Sequence, residues 1–459
     1  MHPVFLSRGD SAPTIPIWFV TGESFAGLLP RLDPAARSFA ETSGFEPKPG
    51  RHLLLPGPDG TLAAVLFALE NPKKPSNPFL PGKLVEVLPP RAYRFANEPA
   101  DVRLAALAIV LSAYRFGRYR KVESKTLTLE LPEGVDGADL SRIIDGVTLA
   151  RDLINTPAND LGPSDLENAA RTLAQRHGAR AISVAGDDLA TQFPLVHAVG
   201  RASTRPPRLI DFTWGDDTHP KVTLVGKGVC FDTGGLDIKP SSGMLIMKKD
   251  MGGAACVLGL AHMVMDAGLN VRLRVLIPAV ENAISGNAFR PLDIYRTRKG
   301  LTVEIGNTDA EGRLILADAL TAADEERPEL LIDMATLTGA ARVALGPDLP
   351  PFYTEDDAIA GELARHAMAE NDPLWRMPLW RPYESTLDSK IADLNNISSS
   401  ALGGSITAAL FLNRFVEAAQ SWIHLDVYAW NQSAKPARPE GGECQAARAF
   451  YALLKARYG

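Results

Sequence analysis

The sequence predicts a two-part α/β protein: a smaller N-terminal α/β domain, then a larger domain with a mixed, mostly parallel sheet sandwiched by helices. The chain has 459 residues, enough for two or three domains of roughly 100–200 residues. Pro-Glu-Gly at 132–134 breaks the chain, and we place the boundary there. Beyond about residue 155, apolar β-branched runs alternate with helical patterns, which is typical of a parallel sheet. We expect domains at 1–135 and 136–459, with a connecting helix at 136–157.

The N-terminal part shows a mixed pattern of strands and helices. The apolar run IPIWFV predicts a strand, and two apolar runs separated by Asp59-Gly60 predict a hairpin. The elements expected here are strands at 15–20, 52–55, 62–66 and 127–131, and a helix at 104–114.

The C-terminal part alternates more regularly. Parallel sheets place their ligand sites at the carboxyl ends of the strands, so polar clusters that follow strands are candidate sites. The elements expected here are strands at 222–225, 271–277, 301–305 and 330–334, and helices at 254–265 and 314–323.

Composition narrows the class of protein. Hydrophobic residues make up 46% of the chain and charged residues 22%, which excludes a mainly disordered chain. The net charge of -6 makes a nucleic-acid partner an unfavoured expectation. Three separated cysteines favour a reducing compartment. Arg8 and Asp10 stand where a signal peptide needs apolar residues, and no apolar run approaches 20 residues, so we expect a cytoplasmic protein without a membrane segment.

Two glycine-rich segments carry charged residues directly after apolar runs. The first, VGKGVCFDTGG and onward, contains Lys227, Asp232 and Lys239, but it lacks the GxxxxGK[ST] pattern of a nucleotide-binding loop. A tight turn with surface charges is an equally good explanation of this segment alone. The second, MKKDMGGAA, places Asp250 before a helix of small residues, where a helix cap is the simpler explanation.

The third segment, NTDAEGRL at 307–314, is harder to explain by structure alone. Asp309, Glu311 and Arg313 alternate after a predicted strand, and in extended backbone this spacing would point their side chains the same way. A solvated turn is the weaker alternative, because an apolar helix follows directly. Buried charges of this kind are costly unless a partner such as a metal ion offsets them.

Together the three segments predict a site rich in carboxylates. Asp232, Asp250, Asp309 and Glu311 would repel one another without a cation. Oxygen-rich ligation suits Mg²⁺, Mn²⁺ or Zn²⁺, and four carboxylates favour two metal ions about 3.5–4 Å apart. No HExxH occurs, and His424, within the apolar run WIHLDV, is expected to be a hydrogen-bonded core residue.

These motifs, with ATLTGA, resemble the leucyl aminopeptidase family of dinuclear metallo-exopeptidases, peptidase family M17. The resemblance implies that Asp232 and Glu311 bridge two metal ions, that Lys227 and Asp250 complete the tighter site, and that Asp309 completes the exchangeable one. It also implies that Lys239 polarises the scissile carbonyl and that Arg313 holds a bicarbonate-like anion as general base. Implied cofactors are two divalent ions, Mn²⁺ or Zn²⁺ with Mg²⁺ as a candidate for one site.

The resemblance further implies substrate, pocket and assembly. Short peptides with a free N-terminus would be the substrates, and the subunits would form a homohexamer. The first side chain would lie against Met247, Thr336 and Gly339, with the Leu337 carbonyl nearby. Tyr428 replaces a small residue of the family at this pocket, which predicts a narrower or more polar pocket. Two other departures are the segment 439–444 in place of a GATGRP-like sequence, and a loop at 243–247 without the usual aspartate.

Two other functions fit the sequence less well. A non-catalytic assembly or nucleic-acid-binding role on the same fold would predict lost ligands and a basic face, whereas every candidate ligand is present and the net charge is -6. A different dinuclear hydrolase, such as a phosphatase, would favour histidine-rich ligation. Fold alone would not separate these alternatives, but the site residues do.

Overall fold

The computed structural model of the chain describes residues 2–7, 13–71, 77–121 and 127–459. These residues form two compact units, one of 1–144 with 432–440 and one of 145–431 with 441–459. Arg8 and Asp10 lie outside the described residues. The domain limits 1–135 and 136–459 stay a prediction.

The first unit contains one mixed sheet. Its strand order is β1-β6-β5-β2-β4-β3, in which only the β3–β4 pair is antiparallel among the described strands. The predicted strand at 15–20 and the hairpin are confirmed, and Gly60 adopts the positive φ of 77° that its turn requires. The strands are β1 Phe5–Leu6, β2 Ile15–Val20, β3 His52–Pro56, β4 Leu62–Ala68, β5 Ala92–Phe95 and β6 Thr128–Glu130.

Short helices accompany this sheet. The predicted helix at 104–114 is confirmed as α4, which begins two residues earlier because Asp101 caps its N-terminus by accepting from the Leu104 N–H. The helices are α1 Phe25–Leu28, α2 Pro34–Thr42, α3 Leu84–Val87 and α4 Val102–Ala113, with 3-10 turns at Leu29–Arg31 and Leu80–Lys83, and α5 Gly137–Asn155 continues from the first unit into the second.

The second unit is built on a nine-stranded mixed sheet. The order is β16-β15-β18-β14-β9-β11-β8-β7, with β10 paired to β11. Its central strands β18, β14, β9 and β11 run parallel, as predicted, while β8 is antiparallel to β11 and β7, and β15 is antiparallel to β18 but parallel to β16. The strands are β7 Arg180–Ala185, β8 Arg208–Trp214, β9 Lys221–Gly226, β10 Gly228–Asp232, β11 Arg272–Asn282, β14 Leu330–Ala335, β15 Pro351–Tyr353, β16 Trp375–Arg376 and β18 Ser421–Asp426.

Two smaller sheets and ten helices complete this unit among its described residues. A three-stranded sheet consists of β12 Ile294–Arg296, β13 Thr302–Glu304 and β17 Leu394–Asn395, and a two-stranded one of β19 Trp430–Asn431 and β20 Gly441–Gly442. The helices are α6 Pro163–Arg176, α7 Gly186–Gln192, α8 Pro194–Gly200, α9 Ser241–Met244, α10 Gly252–Ala267, α11 Glu311–Asp324, α12 Gly339–Leu345, α13 Asp357–Ala369, α14 Gly404–Asn413 and α15 Ala447–Tyr458, with 3-10 turns at Met247–Met251 and Arg381–Leu387.

The α/β fold class is confirmed, and one strand assignment needs correction. The strand predicted at 301–305 exists as β13, but it belongs to the three-stranded sheet and not to the main sheet. The predicted core role of His424 is confirmed, since its ring is fully buried and its Nδ1 lies 2.6 Å from Asp333 Oδ1. No helix among the described residues is long and apolar enough to cross a membrane.

Candidate metal centre and active site

Lys227 lies at the carboxyl end of β9, and its side chain is buried within a group of oxygen atoms. Its Nζ donates to the Thr336 carbonyl at 2.9 Å. The same ammonium lies 2.8 Å from Asp250 Oδ2 and 3.0 Å from Glu311 Oε1. Lys227 therefore contacts three segments that are far apart in the sequence, those of Asp250, Glu311 and Thr336.

Asp232 ends β10 and faces a second lysine. Its Oδ2 lies 2.8 Å from Lys239 Nζ, and Lys239 also contacts the Asp309 carboxylate. The other oxygen of Asp232 accepts from the Asn282 side-chain amide and from the Gly234 N–H, each at 2.9 Å. These bonds fix the orientation of the carboxylate.

Asp250 lies in the 3-10 turn Met247–Met251, directly before α10. The helix-cap alternative is wrong, because Met251 occupies the N-cap position of α10. The Thr336 hydroxyl instead donates to Asp250 Oδ1 at 2.8 Å. Asp250 is thus held with its second oxygen towards Lys227.

The NTDAEGRL segment folds differently from the extended backbone that its alternation suggested. Asp309 lies in a turn, whereas Glu311 is the first residue of α11 and Arg313 lies within that helix. The convergence predicted for the carboxylates nevertheless occurs. One oxygen each of Asp232, Asp309 and Glu311 lie within 4.8 Å of one another. The turn into the helix, and not strand alternation, brings them together.

Two asparagines that sequence reasoning missed hold this arrangement. Fully buried Asn396 accepts from the Gly306 and Asn307 N–H groups and donates to the Asn307 carbonyl, at 2.7, 3.2 and 2.8 Å. Asn282 ends β11 and bridges Asp232 to the Thr308 carbonyl. Asn282 follows a strand and could have been found by the strand-end rule, whereas no local pattern marks Asn396.

Burial and mutual repulsion dominate the electrostatics of the carboxylates. The pKa of Glu311 is raised to about 8 and that of Asp309 to about 6. Burial is the largest cause of both shifts, and repulsion by the Asp232 carboxylate is the second. The pKa of Asp250 is raised for the same reasons. Burial alone would lower the pKa of Lys227, but the surrounding carboxylates raise it, so they hold this side chain as an ammonium.

The donor set fits divalent cations. Four buried or half-buried carboxylates face two lysines, so the cluster would carry excess negative charge if all four were ionised, and this repulsion adds to burial in raising the pKa values of Asp250, Asp309 and Glu311. Glu311 Oε2 is buried and has no hydrogen-bond partner among the described residues, which is costly for a carboxylate oxygen. Hard oxygen ligands of this kind suit Mg²⁺, Mn²⁺ or Zn²⁺.

Arg313 points from α11 towards the same region. One guanidinium nitrogen donates to the Asn396 carbonyl at 2.8 Å, while Nε has no partner among the described residues. Burial lowers the pKa of Arg313 to about 10, which still leaves it charged at neutral pH. An arginine with unused donors is suited to a small planar anion.

All twelve residues selected from the sequence line one cavity of about 480 Å³. They come from both parts of the predicted site, the charged cluster and the side-chain pocket. The cavity contains Lys227, Asp232, Lys239, Met247, Asp250, Asp309, Glu311, Arg313, Thr336, Leu337, Gly339 and Tyr428.

Fold and site together define an α/β protein with a candidate metal centre, its acidic cluster near the carboxyl ends of parallel strands. Family comparison then narrows the class. Residues 148–451 match the catalytic domain of the cytosol aminopeptidase family, and residues 15–132 match the M17 aminopeptidase N-terminal domain. The chain belongs to this family, M17, and is a metallo-aminopeptidase hydrolase.

Individual relatives agree with this assignment. A probable cytosol aminopeptidase of Chlorobium limicola is 39% identical over 367 residues, covering 75% of this chain and 73% of the relative. A peptidase B of Enterobacter sp. is 46% identical over 302 residues, covering 64% and 70%.

Solved structures extend the likeness over nearly the whole chain. A cytosol aminopeptidase from Coxiella burnetii superposes with a TM-score of 0.95 at 45% identity, covering 99% of this chain and 100% of that one. The bottromycin maturation enzyme BotP, in complex with Mn, superposes with a TM-score of 0.87 at 32% identity, covering 97% and 100%.

Proposed function

We propose that this chain is a dinuclear metal-dependent aminopeptidase that releases the first residue of short peptides. The observation that carries the proposal is the meeting of four carboxylates and two lysines in one cavity, where Glu311 has an unpartnered buried oxygen. The family membership and the names of its relatives support the same activity. In this proposal residues 136–459 carry the chemistry, and 1–135 form a non-catalytic domain.

The residues of the cluster divide between two cation sites. Asp232 and Glu311 would serve both sites, Lys227 and Asp250 would complete the first, and Asp309 would complete the second. Lys227 could act as a ligand only as the neutral amine, so it would have to lose its proton to take that role. Mn²⁺, Zn²⁺ and, for one site, Mg²⁺ are the candidates, and the Mn complex of BotP supports manganese.

Divalent ions held by these residues would supply Lewis-acid polarisation of the carbonyl and would lower the pKa of a bound water. Lys239 donates a hydrogen bond to the carbonyl oxygen as negative charge develops there. Its side chain is 15% exposed, so its ammonium is accessible from the cavity. Asp232 and Asp309, which flank this ammonium, hold it in place for that role.

Arg313 would hold an anion able to accept a proton. A bicarbonate-like anion would supply a general base to a cavity whose lining, among the described residues, includes no histidine. The partnerless Nε of Arg313 supports this role, and Asn396 orients the guanidinium. The proposal includes assembly as a homohexamer in the cytoplasm, which light scattering tests as a particle about six times the 49.4 kDa chain mass.

The test is release of the first residue from unblocked dipeptides by protein stripped with a chelator and then given Mn²⁺, Zn²⁺ or Mg²⁺. We expect release only after metal is restored, and none from N-acetylated dipeptides. Failure of every metal and side chain, with a correctly assembled protein, would contradict the proposal.

A matched pair of variants separates ligation from general damage. Asp250→Asn removes a proposed ligand, and Asp188→Asn makes the same change on exposed α7. We expect Asp250→Asn to lose bound metal, measured by elemental analysis, and at least about 100-fold in kcat/KM, since it disturbs the positioning of the site. Asp188→Asn should keep both, and equal metal content in the two variants would refute ligation by Asp250.

A further inference from the structure

A second group of charges lies in the same cavity, apart from the carboxylate cluster. Lys249 precedes Asp250, and its side chain is buried with only 4% of the residue exposed. Its Nζ lies 4.9 Å from the centre of the Tyr428 ring. Within the described residues this ammonium has neither a hydrogen bond nor an ion pair, and Lys249 lines the cavity.

Arg342 brings another cation to the same tyrosine. It lies on α12, and its guanidinium carbon is also 4.9 Å from the ring centre of Tyr428. No carboxylate in the described part of the chain forms an ion pair with it, and it too lines the cavity. Two cations therefore face one aromatic ring without a negative partner.

The carboxylates of Asp426 and Asp250 already have other hydrogen-bonding or ion-pair partners. The oxygens of Asp426 accept from the Leu337 N–H at 3.0 Å, the Thr338 N–H at 3.1 Å and the Thr338 hydroxyl at 2.5 Å. Asp250 is bound by Thr336 and lies against Lys227. Neither acid approaches Lys249 or Arg342 closely enough to form an ion pair.

Burial of the Lys249 ammonium is costly unless a ligand completes its surroundings, whereas Arg342 is exposed. A buried ammonium without a partner loses its hydration, and the face of an aromatic ring replaces only part of that loss. A substrate carboxylate beside Tyr428 would pair with either cation, in the charge-assisted hydrogen bonds that arginine and lysine favour. The cavity reaches solvent, so that carboxylate can come from a substrate.

We infer that Lys249 and Arg342, placed by Tyr428, make the first side-chain pocket select an acidic residue, glutamate or aspartate. The inference rests on the proposed aminopeptidase function and names its substrate class. The cations share the cavity with Met247, Thr336 and Gly339, the residues proposed for that pocket. Tyr428 takes up space in the pocket and holds two positive charges beside it, which disfavours a first lysine or arginine.

The experiment compares Glu-Ala, Gln-Ala, Leu-Ala and Lys-Ala as C-terminal amides at pH 7. Amides remove the only other carboxylate, so a preference for glutamate over glutamine, which has the same shape, reports the side-chain charge alone. We expect kcat/KM for glutamate to exceed that for glutamine by about tenfold or more, and lysine to be poorest.

Two variants test the roles of Lys249 and Arg342. For each variant, the measured quantity is the ratio of kcat/KM for glutamate to kcat/KM for glutamine, determined on the same protein sample. Lys249→Met and Arg342→Gln should each lower the glutamate-to-glutamine ratio by about tenfold. Arg365→Gln is the matched control, because Arg365 is an exposed arginine on α13 that does not line the cavity, and it should leave the ratio unchanged. Arg342 lies on an exposed helix surface, so the Arg342→Gln variant still tests the proposal if the Lys249→Met variant does not fold.

The outcomes distinguish the two proposals. Release of leucine or glutamine without a preference for glutamate would overturn the acidic pocket and leave the aminopeptidase function standing. Release from none of the amides or free dipeptides would refute the function itself. A wild-type preference for glutamate that both variants retain would refute the assignment to Lys249 and Arg342.

Discussion

Gly312→Ala is a small change that tests whether the placement of Lys227 matters. Gly312 is the second residue of α11, and a methyl group built there would lie 2.7 Å from Lys227 Nζ and still closer to Cε. Lys227 cannot easily move away, because its ammonium is held by Thr336, Asp250 and Glu311. The added methyl should therefore push the lysine out of its contacts.

Two opposing terms set the size of the effect on stability. Alanine in a helix is more favourable than glycine by about 1 kcal/mol. Overpacking a buried site costs about 1–3 kcal/mol. The net result is a loss of about 0–2 kcal/mol in the free energy of unfolding. Because a misplacement of about 1 Å at an active site can cost 100-fold, kcat/KM should fall by about that factor.

Gly361→Ala provides the control. Gly361 is exposed within α13, and the nearest atom to an added methyl is the Arg365 guanidinium at 3.9 Å. This variant should gain about 0.5–1 kcal/mol and keep its activity. Urea unfolding, dipeptide hydrolysis and metal analysis of both variants are the assays. If Gly312→Ala gained as much stability as Gly361→Ala and stayed fully active, the reasoning about Lys227 would be refuted.

Three further changes test other parts of the site and fold. Lys239→Met should lower kcat by about 100- to 1000-fold with bound metal retained, and an unchanged kcat would exclude its role at the carbonyl. Asn396→Ala should cost about 1–3 kcal/mol in urea unfolding, because buried N–H groups lose their acceptor. Burial lowers the pKa of His262 to about 4, so stability present above pH 6.5 is lost as pH falls, by about 2 kcal/mol at pH 5. His262→Gln should remove that loss, and an equal loss in the variant would contradict it.

The grouping of the site residues could be predicted from the sequence in part, because two of the segments follow strands of the main sheet. Lys227 and Asp232 lie at the ends of β9 and β10, where the strand-end rule places them, whereas Asp250 lies in the 3-10 turn before α10. The two-residue spacing of Asp309 and Glu311 predicted that their side chains lie together, and they do. The reason given was wrong, because this segment is a turn that leads into α11 and not extended backbone.

Other features depend on contacts between distant segments and could not be predicted locally. Asn396 reaches the 306–310 turn from a segment about 90 residues away. The assignment of β13 to a separate sheet depends on its pairing with β12 and β17, which no periodicity reveals. Lys249 and Arg342 each look like ordinary surface charges in the sequence, and only the fold brings them to Tyr428.

The most direct test of the two-cation centre is a titration of chelator-stripped protein with Mn²⁺, in which bound metal per chain and dipeptide hydrolysis are measured on the same samples. We predict that activity reaches its plateau when two ions are bound per chain, and that Asp250→Asn reaches no such plateau. Full activity with one ion per chain, or with none, would contradict the account.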